Sequence, residues 1–534
     1  MKKITACLLF CLSISILSIA QLQTGENVAV TNTDAGKVRG YIHNTIYTYK
    51  GIPYAQAKRF ESPAKPTPWQ GIRSSLSYGP VAPLMDPTTS VQDESEFVYD
   101  HNWGYTSENC LVLNVWTPGI NDGKKRPIMF WIHGGGFTAG SSEELPSYDG
   151  ENLSKKGDVV VISINHRLNI LGFLDLSAYG EKYKHSANES ILDIKAALEW
   201  VKANAASFGG DANNVTIFGQ SGGGAKVNTL MAMPSAKGLF QKAINESGSF
   251  RSDMLDKATT QSIAAEVLKA LNLQPNQVDS LQTIPFAELS AAGKKALKVI
   301  SDQMKAAGKP APGFGLSWGP SIDGEDLPYQ LFSKEAFELS KDVPLLIGTV
   351  KNEFMPSLFS GMSNATADEV MAYIKKQQGD KADAYIAAVK KAYPGDTKPT
   401  DLMDVDALFR PGAVAQANDK SALKAAPVYM YLFTWQSPVM DGKYKAVHCI
   451  ELPFVFNNIQ RCENMTGGTK EAYALAGKMS DAWIAFARTG NPNSKSLPEW
   501  PGYNSINTAT MHFDNKCEVK PQMDKELFDL LSKK

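Results

Sequence analysis

Residues 215–227 read Val215-Thr216-Ile217-Phe218-Gly219-Gln220-Ser221-Gly222-Gly223-Gly224-Ala225-Lys226-Val227. Val215 to Phe218 is a short, continuous apolar run, the pattern of a strand buried on both faces. A helical run begins near Ala225 and continues to Met233. Between them lies a Gly-x-Ser-x-Gly turn. A serine on such a strand-to-helix turn, with small neighbours that let the two elements pack closely, has the arrangement of a nucleophile elbow. The N-terminus of the helix favours negative charge beside the serine. An ordinary glycine-rich turn carries the same pattern, so the context decides.

That context is an alternation of strands and helices. Leu111–Trp116, Ile128–Ile132, Val159–Ile164 and Leu345–Ile347 are further short apolar runs, bounded by Gly, Pro, Asn or Asp. Helical stretches such as Ile191–Ala206 lie between runs of this kind. The alternation predicts a central, mostly parallel sheet with helices on both faces. Met254–Lys309 and Ala367–Ala392 break the rhythm as long helical stretches rich in Ala, Lys and Gln. No Pro/Gly/Ser linker isolates them, so they are expected as helical insertions over the sheet and not as separate domains.

After the run ending at Ile132 comes His133-Gly134-Gly135-Gly136-Phe137. Acyl transfer passes through a tetrahedral oxyanion, which needs backbone N–H groups aimed at it, and glycine permits the required backbone shape. Gly135, Gly136 and Gly222 are the candidate donors. His133 precedes the serine, whereas elbow enzymes of this kind run Ser, acid, His along the chain. It is therefore read as structural. Of the seven histidines, only His448 and His512 follow Ser221. His512 sits in an apolar run near the C-terminus. His448 sits in a loop-like break after the apolar run from Pro427, where chemistry is usually carried, and is favoured as general base. For the acid, Glu353 follows the run Leu345–Ile347 at a strand's carboxyl end. Asp323 is the rival, although its Asp-Gly pair reads first as a turn.

Composition excludes other classes. The 534 residues carry 54 Lys+Arg against 55 Asp+Glu, a net charge of −1, so bulk positive charge does not mark a nucleic-acid binder. With 43% hydrophobic and 20% charged residues the chain is globular, not disordered. At ~150 residues per domain, length alone suggests three or four domains. Lys2 and Lys3 precede an uncharged run to Ile19, and Ser18-Ile19-Ala20 supplies small residues for a signal peptidase. Residues 1–20 are expected to be a signal peptide cleaved after Ala20. The run is short for a membrane span, which needs ~20 residues. Phe10 before Cys11 argues against lipid attachment. The mature chain is then exported, to the periplasm or beyond, with no membrane span. Its cysteines are Cys110, Cys449, Cys462 and Cys517. Cys449 and Cys462, the closest pair, are the candidates for a bridge. No His/Cys/Asp cluster has metal-ligand spacing, so neither metal nor organic cofactor is expected.

The chain resembles the type-B carboxylesterases, the α/β-hydrolase family that includes cholinesterases. The likeness runs from about Val28 to Phe513. It is carried by Gly51-Ile52-Pro53-Tyr54-Ala55, Arg59-Phe60, Glu108-Asn109-Cys110-Leu111, Leu113-Asn114-Val115 and Phe208-Gly209-Gly210-Asp211. It continues in Gly238-Leu239-Phe240, Ser247-Gly248, Pro320 to Gly324, Lys351-Asn352-Glu353, His448 with Leu452 to Phe456, Thr489 to Pro492, and Trp500-Pro501. The resemblance implies an α/β-hydrolase fold in one domain, 21–534, and a triad of Ser221, Glu353 and His448. It assigns the oxyanion hole to Gly135, Gly136 and Gly222. It makes Asp323 structural, places Ser247 behind the acid as its support, and implies ion pairs Arg59–Glu108 and Arg167–Asp193. The expected substrate is a small-molecule ester. Lipases and amidases use the same triad, and a non-catalytic binding module is the other class such domains serve.

Three departures from the family pattern stand out. Gln220 replaces the usual Glu before the serine, which weakens attraction for a cationic substrate. Ala82 stands where the partner of Cys110 is expected, so the local bridge is absent and the loop between them is free to shape the pocket mouth. Cys449 replaces the small residue that normally follows the histidine.

Overall fold

Runs such as Val160–Ile164 and Val428–Phe433 are buried along their whole length, which only the interior of a sheet covered on both faces provides. In the computed structural model, which describes residues 22–85, 93–250, 253–309 and 315–532, such runs are strands of one twelve-stranded sheet. In chain order these are β1 (Leu22–Gln23), β2 (Tyr41–His43), β3 (Ile46–Pro53), β4 (Val112–Thr117), β5 (Arg126–Ile132) and β6 (Val160–Ile164). They continue as β7 (Gly210–Gln220), β8 (Lys242–Glu246), β9 (Leu345–Val350), β10 (Val428–Phe433), β11 (Thr510–Phe513) and β12 (Glu518–Lys520). Their spatial order is β1-β2-β3-β4-β6-β5-β7-β8-β9-β10-β11-β12. From β6 to β11 every neighbouring pair is parallel. The antiparallel pairs lie towards the two edges.

Strand alternation divides the core. On β5, Ile128, Phe130 and Ile132 join one apolar cluster, while Met129 and Trp131 join another on the opposite face. Helices Glu189–Asn204 and Gly222–Met231 cover the first face, with Ile191, Leu198, Val227 and Leu230 in its cluster. Helix Lys470–Thr489 covers the second with Trp483 and Phe486. That helix starts where the Thr469 hydroxyl accepts the Ala472 N–H and ends at Gly490, φ 78°. The expected α/β-hydrolase architecture is therefore present.

The two stretches that broke the sequence rhythm are helical. Residues 254–309 hold helices Lys257–Ala270 and Phe286–Ala306, packed on each other. Residues 367–392 hold helices Ala367–Gln378 and Ala382–Ala392, which share a separate apolar cluster with the C-terminal helix Lys525–Ser532. The proposed signal peptide, residues 1–20, lies outside the described residues. Among the described residues no helix is long and apolar enough to cross a membrane.

The cysteine expectation is corrected. Cys449 and Cys462 are not bridged, and Cys110 and Cys517 are likewise free thiols. Cys462 is packed in the apolar cluster of the second face, whereas Cys449 turns towards Gln220. Ala82 and Cys110 line the same small cavity of about 20 Å³. That placement agrees with Ala82 standing where a partner cysteine would be.

Both implied ion pairs form. The Arg59 guanidinium makes a two-point contact with the Glu108 carboxylate. Arg167 donates to both oxygens of Asp193, Nη2 at 2.6 Å and Nε at 2.8 Å, and lies 3.2 Å from Glu189. Asp193 and Glu189 are fully buried. Burial pushes Glu189 up to about 8 against the pull of Arg167. Removing one partner of a buried pair leaves the other charge uncompensated, which costs ~3–5 kcal/mol. Arg167→Leu is therefore expected to lower unfolding free energy by about that amount, read from urea denaturation midpoints. A loss below ~1 kcal/mol would show the pair to be dispensable.

Candidate active site

Three parallel strands deliver the candidate serine, glycine loop and acid at their carboxyl ends, and the candidate base follows β10. β7 ends at Gln220, and Ser221 follows with φ 56° and ψ −125°, an unfavourable region for a residue with a side chain. The helix begins at once, at Gly222, three residues earlier than the sequence pattern suggested. A Cβ on Gly219 would lie 2.6 Å from the Gly223 carbonyl carbon, so only glycine fits there. The Ser221 N–H donates to the Glu246 carbonyl at 2.8 Å, which fixes the turn against β8.

β5 leads into the glycine loop. Gly135 and Gly136 have φ of 82° and 61°. Neither N–H donates to another group among the described residues. As the first helical residue, Gly222 has an N–H with no partner inside its helix. The three glycines expected as donors thus lie at the surface of one cavity or beside it: Gly135, Gly136 and Ser221 line it.

β9 leads to Glu353, which is 1% exposed. Its Oε1 accepts the Val350 N–H at 3.1 Å and its Oε2 accepts from His448 Nδ1. The two segments are also tied by backbone, since His448 N–H donates to the Glu353 carbonyl at 3.1 Å. The imidazole packs with the rings of Phe354 and Phe409 in a three-ring cluster, at centroid distances of 4.6 and 5.3 Å, the two phenyl rings being 5.7 Å apart. Gln220 Nε2 sits 3.2 Å from His448 Nε2. The Ser221 hydroxyl makes no hydrogen bond among the described residues. Ser221, Glu353, His448, Gln220 and Cys449 all line a cavity of about 860 Å³, together with Tyr99, Tyr148, Phe250, Phe354 and Phe359. Glu94, Ser95 and His101, from the segment between Ala82 and Cys110, line it too.

The alternatives fall elsewhere. Asp323 Oδ1 accepts the N–H groups of Glu325 and Leu327, and its Oδ2 accepts from Asn188 Nδ2. It is a turn residue away from the imidazole. His512 is on β11, where burial pushes it down to about 3. His133 Nδ1 lies 2.9 Å from the Gly134 carbonyl and its ring stacks on His166 at 4.8 Å. The support expected from Ser247 is not a hydrogen bond to Glu353. Ser247 is fully buried, but its hydroxyl has no partner among the described residues.

The sequence reading missed what lies behind the acid. Glu246 and Glu451 are both fully buried. Trp483 Nε1 donates to Glu246 Oε1 at 2.7 Å, while Glu246 Oε2 and both oxygens of Glu451 find no partner among the described residues. Burial pushes Glu246 up to about 8, and burial plus the neighbouring Glu246 and Glu353 push Glu451 well above the ordinary carboxyl range. Both carboxyls are thereby biased towards the neutral acid. No sequence pattern marks this, because it depends on burial. On the other side of the elbow, burial lowers the Lys226 ammonium to about 7, and Nζ donates to the His133 carbonyl at 3.1 Å. Among the described residues no group of three or more His, Cys, Asp or Glu is placed to hold a metal ion.

The chain is similar to known proteins over nearly its whole length. A family model described as the Carboxylesterase family matches residues 27–530. The chain is 36% identical over 512 residues to para-nitrobenzyl esterase of Bacillus subtilis, covering 93% of this chain and 97% of that protein. It is 32% identical to phenmedipham hydrolase of Pseudarthrobacter oxydans, covering 90% and 94%. Among solved structures, an esterase from Clostridium hathewayi described as hydrolysing aliphatic aromatic polyesters superposes with a TM-score of 0.81. It is 37% identical, covering 95% of this chain and 98% of that one.

The buried carboxyls give a pH signature. Glu246 titrates near 8 when folded, against 4.5 as its ordinary value. Between those values the folded state holds a proton the unfolded chain has released. The stability from this group is complete at low pH and is lost as pH rises through the folded value. Glu246→Gln, which keeps an acceptor for Trp483, removes that loss. Its stability relative to wild type should rise from pH 5 to pH 8, by something on the order of a few kcal/mol, in chemical denaturation. Parallel curves for the two proteins would mean that Glu246 is ionised in the fold.

Proposed function

Because the chain belongs to the carboxylesterase family, we propose that it hydrolyses carboxylic esters through an acyl-enzyme on Ser221, with His448 and Glu353 completing the triad. The observation that carries this reading is the Glu353–His448 Nδ1 hydrogen bond in the cavity that also holds Ser221. His448 takes the Ser221 proton as the hydroxyl attacks the ester carbonyl, then gives it to the leaving alcohol. Glu353 holds the ring and stabilises the imidazolium. Gly135, Gly136 and Gly222 receive the oxyanion, each lost donor of this kind being worth ~3–4 kcal/mol of barrier. Water then repeats the sequence on the acyl-enzyme. Without ligand the Gln220 amide nitrogen lies over the imidazole, 3.2 and 3.4 Å from its two nitrogens, and substrate brings the serine into play, as hydrogen bonds at such sites often tighten only with substrate bound.

The substrates are small to medium, uncharged esters. Gln220 gives a neutral neighbour beside the base, and a cavity of about 860 Å³ walled by Tyr148, Phe250, Phe354 and Phe409 suits apolar and aromatic groups. The aromatic substrates in the relatives' names favour the same class. The protein is exported, and mature protein from the exported fraction should have an intact mass beginning at Gln21.

Hydrolysis of 4-nitrophenyl butyrate by wild type and by Ser221→Ala, at matched folded concentration, tests the mechanism. Wild type should turn over, and the variant should lose at least about 10³-fold in kcat. A variant that retains wild-type turnover overturns Ser221 as nucleophile.

A further inference from the structure

Lys226 has no part in the proposed chemistry, yet it lies under the glycine loop. It is fully buried, on the helix Gly222–Met231, little more than one turn past the serine. Its Nζ donates to the His133 carbonyl at 3.1 Å and lies 5.8 Å from the centre of the Phe137 ring. His133 and Phe137 are the residues on either side of Gly134-Gly135-Gly136. The β5–β7 ladder ends at Ile132, so the sheet stops short of the His133 carbonyl. Beyond the glycines the loop is held by Asn169. Its N–H donates to the Phe137 carbonyl at 2.9 Å, and its Nδ2 reaches the Thr138 carbonyl at 3.4 Å. Glycine loses more conformational freedom on ordering than any other residue. A run of three therefore keeps its N–H groups in a fixed direction only when both ends are tied, and Lys226 ties the upstream end.

Stability does not account for this lysine. Burial brings its ammonium down to about 7 from 10.5, with Glu144 alone pulling the other way. The unfolded chain holds that proton more tightly than the fold does. Below the folded value the lysine therefore subtracts from stability in full, and the loss fades as pH rises towards 10.5. The neighbouring His133 and His166 rings are pushed well down by burial and by Lys226, so they bring no second cation to the loop.

We propose that Lys226 is a positioning residue for the oxyanion: its Nζ holds the His133 carbonyl and so sets the direction of the Gly135 and Gly136 N–H groups. The inference rests on the reading of those glycines as the oxyanion donors. Lys226 is absent from the cavity lining, so it acts through the backbone and touches no substrate. Ammonium and amine both donate, so the tie persists on either side of neutrality. Direction matters because the donors help only at hydrogen-bond distance from the place where charge develops, and a small misplacement is felt in kcat.

The experiment compares wild type with Lys226→Met and Lys226→Leu, which fill the space without an N–H. Two inhibitors of one skeleton report on the oxyanion donors. 1,1,1-Trifluorohexan-2-one accepts the Ser221 oxygen at its carbonyl carbon. The carbonyl π pair moves to oxygen as the oxyanion, and the serine proton goes to His448. Hexan-2-one binds as a planar, uncharged carbonyl. In both variants kcat/KM for 4-nitrophenyl butyrate should fall about tenfold or more, and Ki for the trifluoroketone should rise by a like factor. Ki for hexan-2-one should stay within about threefold, since ground-state binding does not use the oxyanion. Urea midpoints at pH 6 should not fall below that of wild type, because a buried charge is gone. Wild-type kcat/KM in both variants overturns the proposal, as does an equal shift in the two inhibitor constants. A lower midpoint or a failure to fold overturns it too, since either would make Lys226 a stabilising residue. Ser221→Ala, run alongside, reports on the triad itself: retained activity there would overturn the catalytic reading, whatever position 226 does.

Discussion

Two backbone turns must touch for this site to exist. One follows β5 and carries Gly135 and Gly136, and the other follows β7 and carries Ser221. A Cβ on Gly222 would run into Gly136, and one on Gly223 would run into the Ile132 carbonyl. Side chains are excluded from this contact by sterics alone, and the parallel pairing of β5 with β7 brings the turns there. The strained backbone of Ser221 is held by the same contact, because the sheet below and the helix above leave the turn no other path. The helix that starts on three glycines, poor helix formers in isolation, is fixed by packing against β5, β7 and β8.

Behind this contact, hydrogen-bond donors decide which carboxyl can carry charge. Glu353 has N–H donors on both oxygens, Glu246 has one donor, and Glu451 has none among the described residues. An ionised carboxylate in a buried site needs its lone pairs matched. The acid that touches the imidazole is therefore the matched one, and burial biases the two behind it towards the neutral acid. Three adjacent carboxyls would otherwise repel one another.

Much of this was legible in the chain. The elbow serine, the glycine loop and the histidine were marked by their places after apolar runs, and the runs themselves became β5, β7, β9 and β10. Length misled, because twelve strands drawn from Leu22 to Lys520 enter one sheet. Helix onset at Gly222 was illegible, since tertiary contact overrides local propensity. The Cys449–Cys462 expectation followed sequence spacing, which says nothing of direction: both pack on the same apolar cluster, yet Cys449 turns its sulfur to Gln220. Glu246 and Glu451 look like any other glutamates, because burial and missing partners are properties of the fold.

The imidazole shows how the remaining pieces depend on one another. Phe354 and Phe409 hold the ring, and Glu353 holds Nδ1, so only Nε2 is left to choose a partner. That nitrogen must accept a proton from the serine and later surrender it. A fixed charge beside it would stabilise one protonation state and penalise the other. A neutral amide penalises neither. An uncharged neighbour also leaves the cavity free of a carboxylate at the point where an ester carbonyl must sit, which suits neutral substrates. The same substitution therefore bears on both selectivity and the base, through one side chain held between a sulfur and an imidazole.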